Sequence, residues 1–261
     1  MDLGIDNRLA LVMGGTGGLG LAVATELASE GARIALCGRD EKRTAAAAGA
    51  LRAKGATVIA QHWDLRNLEA GHRAIDAIEA VEGPIDVLFA NTGGPAPGRA
   101  VDISRDALAD AFAAMVAPVV ELGGRLAQSM AGRGWGRIVA ALSSGVESPI
   151  PNLAISNTVR PALRAWAKNL STELASSGVT VNCVVPGRIS TGRVAALDAA
   201  KAERDHLSVA EVAAASASSI PAGRYGDPTE FAAVVAFLCG QPASYVTGTT
   251  VRIDGGMIAG V

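Results

Sequence analysis

Short aliphatic and β-branched runs recur along the chain, separated by Ala/Leu/Glu-rich stretches whose apolar positions follow helical spacing. The runs lie at 9–13, 33–37, 57–60, 85–89, 137–142, 179–185 and 250–254. Strands this apolar, alternating with segments of helical length, predict a parallel sheet covered on both faces. The expected fold is therefore α/β and doubly wound: a mostly parallel seven-stranded sheet with helices on both faces, in a single domain over 1–261. Between 192 and 222 the strand pattern stops, and the segment carries Asp198, Lys201, Glu203, Arg204, Asp205 and His206. An insertion of that length inside one domain predicts a lid over a substrate site. After it, Asp227 as N-cap and Pro228 in the first helical position predict a helix to about residue 238.

The junction after the first predicted strand reads Gly-Gly-Thr-Gly-Gly-Leu-Gly over residues 14–20, and a helix-forming stretch follows at once. Glycine there permits positive φ and close approach of an anion to backbone amides, while the helix N-terminus adds partial positive charge. A dinucleotide diphosphate fits such a turn. Tight turning and close helix–strand packing produce the same letters without a ligand, so the flanking elements carry the argument.

Composition removes several function classes. The 261-residue chain has a net charge of −2, with its 23 Lys and Arg scattered among acidic neighbours, so no basic face for nucleic acid is expected. The segment 1–6 has neither a cationic stretch nor an apolar core of a signal, and no run of roughly 18 uncharged apolar residues was apparent for a membrane span. A soluble, cytoplasmic protein without a membrane partner is expected. Cys37, Cys183 and Cys239 sit far apart in apolar runs, which predicts buried core thiols and no metal site.

A longer ordered set of motifs resembles the short-chain dehydrogenase/reductase family, in particular its 3-oxoacyl-carrier-protein reductase-like members. The matching pieces are the Gly14, Gly18, Gly20 turn, Asp64-Leu65, Asn91-Thr92-Gly93, Ser143-Ser144, Val181-Asn182, Pro186-Gly187, Thr191, the segment 224–230 and the stretch from Tyr245 to Gly256. The resemblance runs from about residue 6 to 258 and implies a Rossmann-type domain. It implies that Gly14, Thr16, Gly18, Leu19 and Gly20 form the diphosphate turn, that Asp64 and Leu65 meet the adenine, and that Asn91 and Gly93 lie near the adenosine ribose. It also implies that Pro186, Gly187, Ile189 and Thr191 hold the carboxamide end. At the end of the second strand, family members that select NAD carry an acidic residue; here Gly38 stands there and Arg39 follows, which favours NADP over NAD. Against that, Arg39 as a solvated loop residue and Asp40 as a helix N-cap would explain the same letters.

The same resemblance exposes a departure. Family members carry a helical Asn, a Ser after the fifth strand, a Tyr thirteen positions later and a Lys four beyond it. Counted from Ser143, those last places hold Ser156 and Arg160, and Met115 takes the place of the Asn. Tyr225 and Tyr245, the only tyrosines, belong to other motifs. A phenol titrates near 10 and is readily tuned, whereas a serine hydroxyl is a far weaker acid and a guanidinium holds its proton beyond about 12. Ser143, Ser156 and Arg160 are the candidate catalytic set, with Ser143 binding a carbonyl oxygen and the other two ordering water and the nicotinamide ribose. Hydride transfer to or from a small carbonyl or alcohol is the expected activity, and a cofactor-binding sensor or structural oligomer partner without turnover is the alternative.

Other residues were weighed on the same terms. Pro161 predicts a kink or a helix start beside Arg160, and Pro118 leaves the Ala114 carbonyl without its helical donor, free to hold a water. His206 is a candidate proton donor but more commonly such a residue is solvated, and Arg188 could meet an anionic substrate or water. His62 and His72 read as surface or ribose-edge groups, and Trp63, Trp135 and Trp166 as packing. The apolar helices around 111–130 and 162–175 predict a homodimer or homotetramer.

Overall fold

The computed structural model describes residues 1–260. Seven strands form one sheet: β1 (Leu9–Val12), β2 (Arg33–Gly38), β3 (Val58–His62), β4 (Val87–Ala90), β5 (Gly136–Ala141), β6 (Val179–Pro186) and β7 (Thr250–Ile253). Their spatial order is β3-β2-β1-β4-β5-β6-β7, and every neighbouring pair is parallel. The chain reverses direction across the sheet between β1 and β4, which opens a crevice at the carboxyl ends of those two strands. Alternate residues of β1 serve opposite layers. Leu9 and Leu11 pack with the helices α3 (Leu68–Glu82), α4 (Arg105–Met115), α5 (Ala117–Gly132) and α6 (Ala154–Leu174). Ala10 and Val12 pack with α1 (Gly18–Ser29), α2 (Glu41–Arg52) and α9 (Pro228–Cys239).

Polar residues at the helix starts explain where the helices begin. Asp40 accepts from the Arg43 amide at α2, Asn67 from Ala70 at α3, and Ser104 from Ala107 at α4. At α9, Asp227 and Glu230 form a reciprocal capping box with Pro228 in the first turn, as the sequence predicts. The segment 192–222 folds as two helices, α7 (Gly192–Asp205) and α8 (Val209–Ser218), the second opened by a Ser208/Glu211 capping box. His206 ends α7 in the left-handed conformation with φ 55° and is exposed, so it is a helix terminator open to water.

Two expectations need correction. Pro161 neither starts nor ends a helix: α6 begins seven residues earlier and continues to Leu174. Only the bond to the Asn157 carbonyl is removed, and the Asn157 side chain anchors the preceding turn by bonding both backbone groups of Ile150. The expected long helix after β4 is interrupted at Val116, which caps α4 and precedes Pro118 in the first turn of α5. The joined stretch Arg105–Gly132, 28 residues containing an 18-residue window of mean hydropathy 1.5, is long and apolar enough to cross a bilayer by those two measures, which qualifies the expectation from sequence. Its Leu122, Leu126 and Met130 are buried in the core beneath the sheet.

The cysteines, Trp135 and the two histidines near β3 and α3 lie as the sequence predicts. All three cysteines are free and buried, and burial raises the Cys183 and Cys239 thiols to about 12. Trp135 lies between the guanidinium groups of Arg8 and Arg137, at 4.1 and 4.4 Å from its ring centre. His62 bonds the Arg39 carbonyl and His72 the Glu121 carboxylate, both near the surface.

Candidate active site

The residues singled out from sequence gather at the carboxyl ends of β1, β2, β4, β5 and β6, on both sides of the crevice. The glycine turn between β1 and α1 is shaped by two close approaches. A Cβ on Gly20 would stand 2.2 Å from the Gly14 carbonyl oxygen, and one on Gly15 would stand 2.4 Å from Leu36 Cδ1, so α1 and β2 meet the turn only because side chains are missing. Gly14 and Gly18 have positive φ, at 62° and 50°. A Cβ on Gly17, by contrast, would meet only the end of the Arg43 side chain, Nη2 at 3.3 Å, and one on Gly18 only Thr191 at 3.6 Å. The turn thus has a packed inner side and an open outer side at the N-terminus of α1, a cradle suited to a diphosphate. Thr16 and Leu19 lie within this turn. Asn91, at the end of β4, donates from Nδ2 to the Gly14 carbonyl at 3.4 Å and ties the two strand ends together.

At the end of β2, a Cβ on Gly38 would stand 2.2 Å from the Thr16 methyl and 2.7 Å from Thr44 Oγ1, so no acidic side chain can occupy this position. Asp40 is committed to capping α2 through the Arg43 amide. Arg39 is exposed, and its side chain makes no bond among the described residues. Arg43, which sequence reasoning missed, joins it at the mouth of the turn; the signal available was its place three residues beyond the N-cap. Asp64 is half-exposed and accepts from the Arg66 amide, with Leu65 beside it. Pro186 closes β6, and Gly187 bonds the Ile253 carbonyl so closely that a Cβ would stand 2.6 Å from Asp254 Cα. Ile189 is buried against Gly226, and Thr191 caps α7.

Beyond β5 lies the candidate catalytic set. Ser143 is half-buried and its Oγ accepts from the Gly145 amide at 3.2 Å. Ser156, 6% exposed on the first turns of α6, has a hydroxyl without a protein partner among the described residues. Arg160, 7% exposed, donates through Nη1 to the Ala141 carbonyl and through Nη2 to the carbonyls of Thr92 and Gly93. Its guanidinium therefore joins the ends of β4 and β5. Burial first, and the nearby charge of Arg193 second, lower it to about 10. The Thr92 hydroxyl is buried without a partner. Met115 is a buried core side chain at the end of α4, so the place of the expected Asn is apolar.

The segment 192–222 is anchored by a network that sequence did not suggest. Asp198 of α7, 3% exposed, accepts from Arg188 at 2.5 Å and from the Tyr225 hydroxyl at 2.8 Å. Arg188 also lies over the Tyr225 ring, 5.6 Å from its centre. Arg188 is thus committed to Asp198 through Nη1, while 28% of its side chain stays exposed. A cavity of about 460 Å³ lies apart from this crevice, between α6, β6 and β7, beside Glu147, Arg164, Lys168 and Arg252.

A glycine cradle at the switch of a doubly wound sheet, with a serine at the end of β5, defines a nucleotide-binding α/β protein of oxidoreductase type. A family model described as enoyl-(acyl carrier protein) reductase matches residues 14–258. Dehydrogenase/reductase SDR family member 4 of Bos taurus is 32% identical over 256 residues, spanning 98% of this chain and 88% of the relative. The 3-oxoacyl-[acyl-carrier-protein] reductase MabA of Mycobacterium tuberculosis is 31% identical over 251 residues, spanning 96% and 93%. A crystal structure of L-sorbose reductase from Gluconobacter frateurii, complexed with NADPH and L-sorbose, is similar with a TM-score of 0.94 at 28% identity over 100% of both chains. The chain belongs to the short-chain dehydrogenase/reductase family.

Replacing Asp198 by Ala leaves Arg188 without its carboxylate, at a cost of about 3 kcal/mol, near the low end for a broken buried pair because Arg188 keeps some contact with water. Hydrogen exchange should accelerate over α7 and α8 with the sheet unaffected; unchanged protection there would show that the network does not hold the lid.

Proposed function

We propose that the protein is an NADP(H)-dependent reductase of small carbonyl compounds, 3-oxoacyl-reductase-like, that works without a protein phenol. One observation carries the cofactor reading: the end of β2 bars an acidic side chain at Gly38 and offers the free guanidinium of Arg39, with Arg43 at the turn. A 2′-phosphate matches two guanidinium groups, whereas a bare ribose finds no carboxylate there. L-sorbose reductase, crystallised with NADPH, supports the same choice. In this reading residues 14–20 hold the diphosphate, Asp64 and Leu65 the adenine, Asn91 and Gly93 the adenosine side, and Pro186, Gly187, Ile189 and Thr191 the carboxamide.

Bound NADPH supplies hydride. Ser143 donates a hydrogen bond to the carbonyl oxygen, and Arg160 adds positive potential while it holds the ends of β4 and β5. Ser156, with its unpartnered hydroxyl, orders the water that delivers the proton. A general acid is worth about 10²- to 10⁴-fold, whereas positioning two reactants supplies roughly 7 to 11 kcal/mol. Turnover therefore survives the loss of the phenol at reduced rate. The commitment of Arg160 to three backbone carbonyls favours a second reading, a cofactor-binding protein without turnover.

We also propose that the chain assembles as a homodimer or homotetramer through α4, α5 and α6, where Phe112 is 48% exposed and Ala113 and Ala165 face solvent. Light scattering at micromolar concentration should give a multiple of the chain mass; a monomer would remove this reading. Its three free buried cysteines support a reducing compartment.

A panel of ketoesters, quinones and aldehydes with NADPH separates the two functional readings: consumption of NADPH is expected with at least one, and tight binding with no turnover supports the sensor. With no tunable acid in the set, the rate should stay level from about pH 6 to about pH 9. It should fall only as Arg160 loses its proton near 10, because its charge is present below that value and absent above it. A bell centred nearer neutrality would instead reveal a titrating protein acid. In fluorescence titrations Arg39→Ala should weaken NADPH about ten- to a hundredfold and NADH far less, since a charge-assisted bond contributes about 1.5–3 kcal/mol. Equal loss for both nucleotides would overturn the 2′-phosphate assignment.

A further inference from the structure

Resting on the reductase reading, the geometry points to a substrate that carries an anionic oxygen group, a carboxylate in the simplest case, bound at the mouth of the crevice by Arg193 of α7 above the buried Arg160. The two guanidinium groups lie along one short stretch of backbone. Arg160 holds the carbonyls of Thr92 and Gly93, and Arg193 donates from Nη2 to the carbonyl of Pro95 at 2.9 Å. Gly94 makes room for this: a Cβ there would stand 3.1 Å from Arg193 Nη2. Beside Gly93 the space is open.

Neither cation has a carboxylate. Arg193 is exposed and uses one of its five N–H groups on the protein, and Arg160 is more than nine-tenths buried with backbone carbonyls alone as acceptors. Three acids of the surrounding elements are already engaged. Asp198 is held by Arg188 and Tyr225, Glu147 by Arg164 and Arg252, and Glu230 by Arg224. Arg193 moreover occupies the first turn of α7, which contains no acidic residue, so its charge adds to the positive end of the helix dipole where a cation is disfavoured by itself. The mutual influence of the two arginines, by which Arg193 lowers Arg160, shows the same uncompensated charge. An anion arriving between α7 and the 93–95 stretch would meet free guanidinium donors and a helix N-terminus, with a second cation beneath. A neutral carbonyl compound would leave all of them unanswered.

Two sources of anionic oxygen could use this place, the substrate and the cofactor diphosphate, and we assign it to the substrate because the diphosphate has its own cradle at the glycine turn. The test uses the full-length protein, titrated with malonate and with neutral dimethyl malonate in the presence and absence of saturating NADP⁺, followed by calorimetry and thermal denaturation. Malonate should bind and raise the melting temperature, dimethyl malonate should not, and Arg193→Gln should weaken malonate about ten- to a hundredfold. NADP⁺ affinity should change less than about twofold in the same variant, within the scatter of a surface substitution. In turnover, pyruvate should be preferred to methyl pyruvate by the wild type, and Arg193→Gln should erase that preference chiefly through KM. Absence of malonate binding to the wild type overturns the proposal, as does a variant that loses NADP⁺ affinity and keeps malonate. Failure of NADP⁺ to bind, or of every carbonyl to turn over, counts instead against the reductase reading, while malonate binding still reports on the anion site.

Discussion

The contact between Gly20 and the Gly14 carbonyl governs the geometry of the crevice. With no side chain at Gly20, the first turn of α1 lies directly against the end of β1, and its amide-bearing end faces the outer side of the turn. The same turn receives Asn91 from β4, so the two strands that flank the switch of the sheet share one anchor. A methyl group at 2.2 Å from that oxygen would have to push helix and strand apart, and the approach of Arg43 to Gly17 and of Thr191 to Gly18 would be lost with it. The glycines of one turn therefore differ: Gly15 and Gly20 are packed against core and backbone, and Gly17 and Gly18 are bordered by the side chains of Arg43 and Thr191.

Arg160 applies a comparable constraint on the other side of the crevice. A planar fork can bridge carbonyls on two strand ends at once, which a point-like ammonium does less well. The bridge ties Ala141, two residues before Ser143, to the 92–93 stretch. The cost is a charge in a desolvated place, visible in the lowered titration of this group. Three carbonyl partners offset part of that cost.

Much of this was legible in the chain because the signals were local. Seven apolar runs, the glycine turn, Asp227 with Pro228 and the spacing from Ser143 to Ser156 and Arg160 each depend on neighbours in sequence, and the structure has the corresponding elements. What the chain did not disclose depends on side chains meeting across long separations. Asp198 reads as one of several charges on a polar segment until α7 folds back and buries it against Arg188 and Tyr225. Arg43 and Arg193 look like ordinary first-turn residues until the open side of the glycine turn and the carbonyl of Pro95 come beside them. Pro161 misled for a related reason: the rule about missing amides is local, and a helix already nucleated at Ala154 tolerates the loss of a single bond.

The replacement of a phenol and an ammonium by a hydroxyl and a guanidinium changes what the site gives a developing oxyanion. In the proposed reaction it supplies charge and leaves the proton to water. In a partly desolvated crevice a full charge a few ångströms away is worth several kcal/mol, so potential can replace part of what proton donation would contribute. That substitution works only while no carboxylate near the crevice is free, because one unpaired acid would cancel one of the two cations. Three acids of the surrounding elements are held by arginines of their own: Asp198 by Arg188, Glu147 by Arg164 and Arg252, and Glu230 by Arg224. The pairings around Asp198 and Glu147 thus have an electrostatic consequence beyond holding elements together, since neither carboxylate neutralises the buried Arg160 or the exposed Arg193.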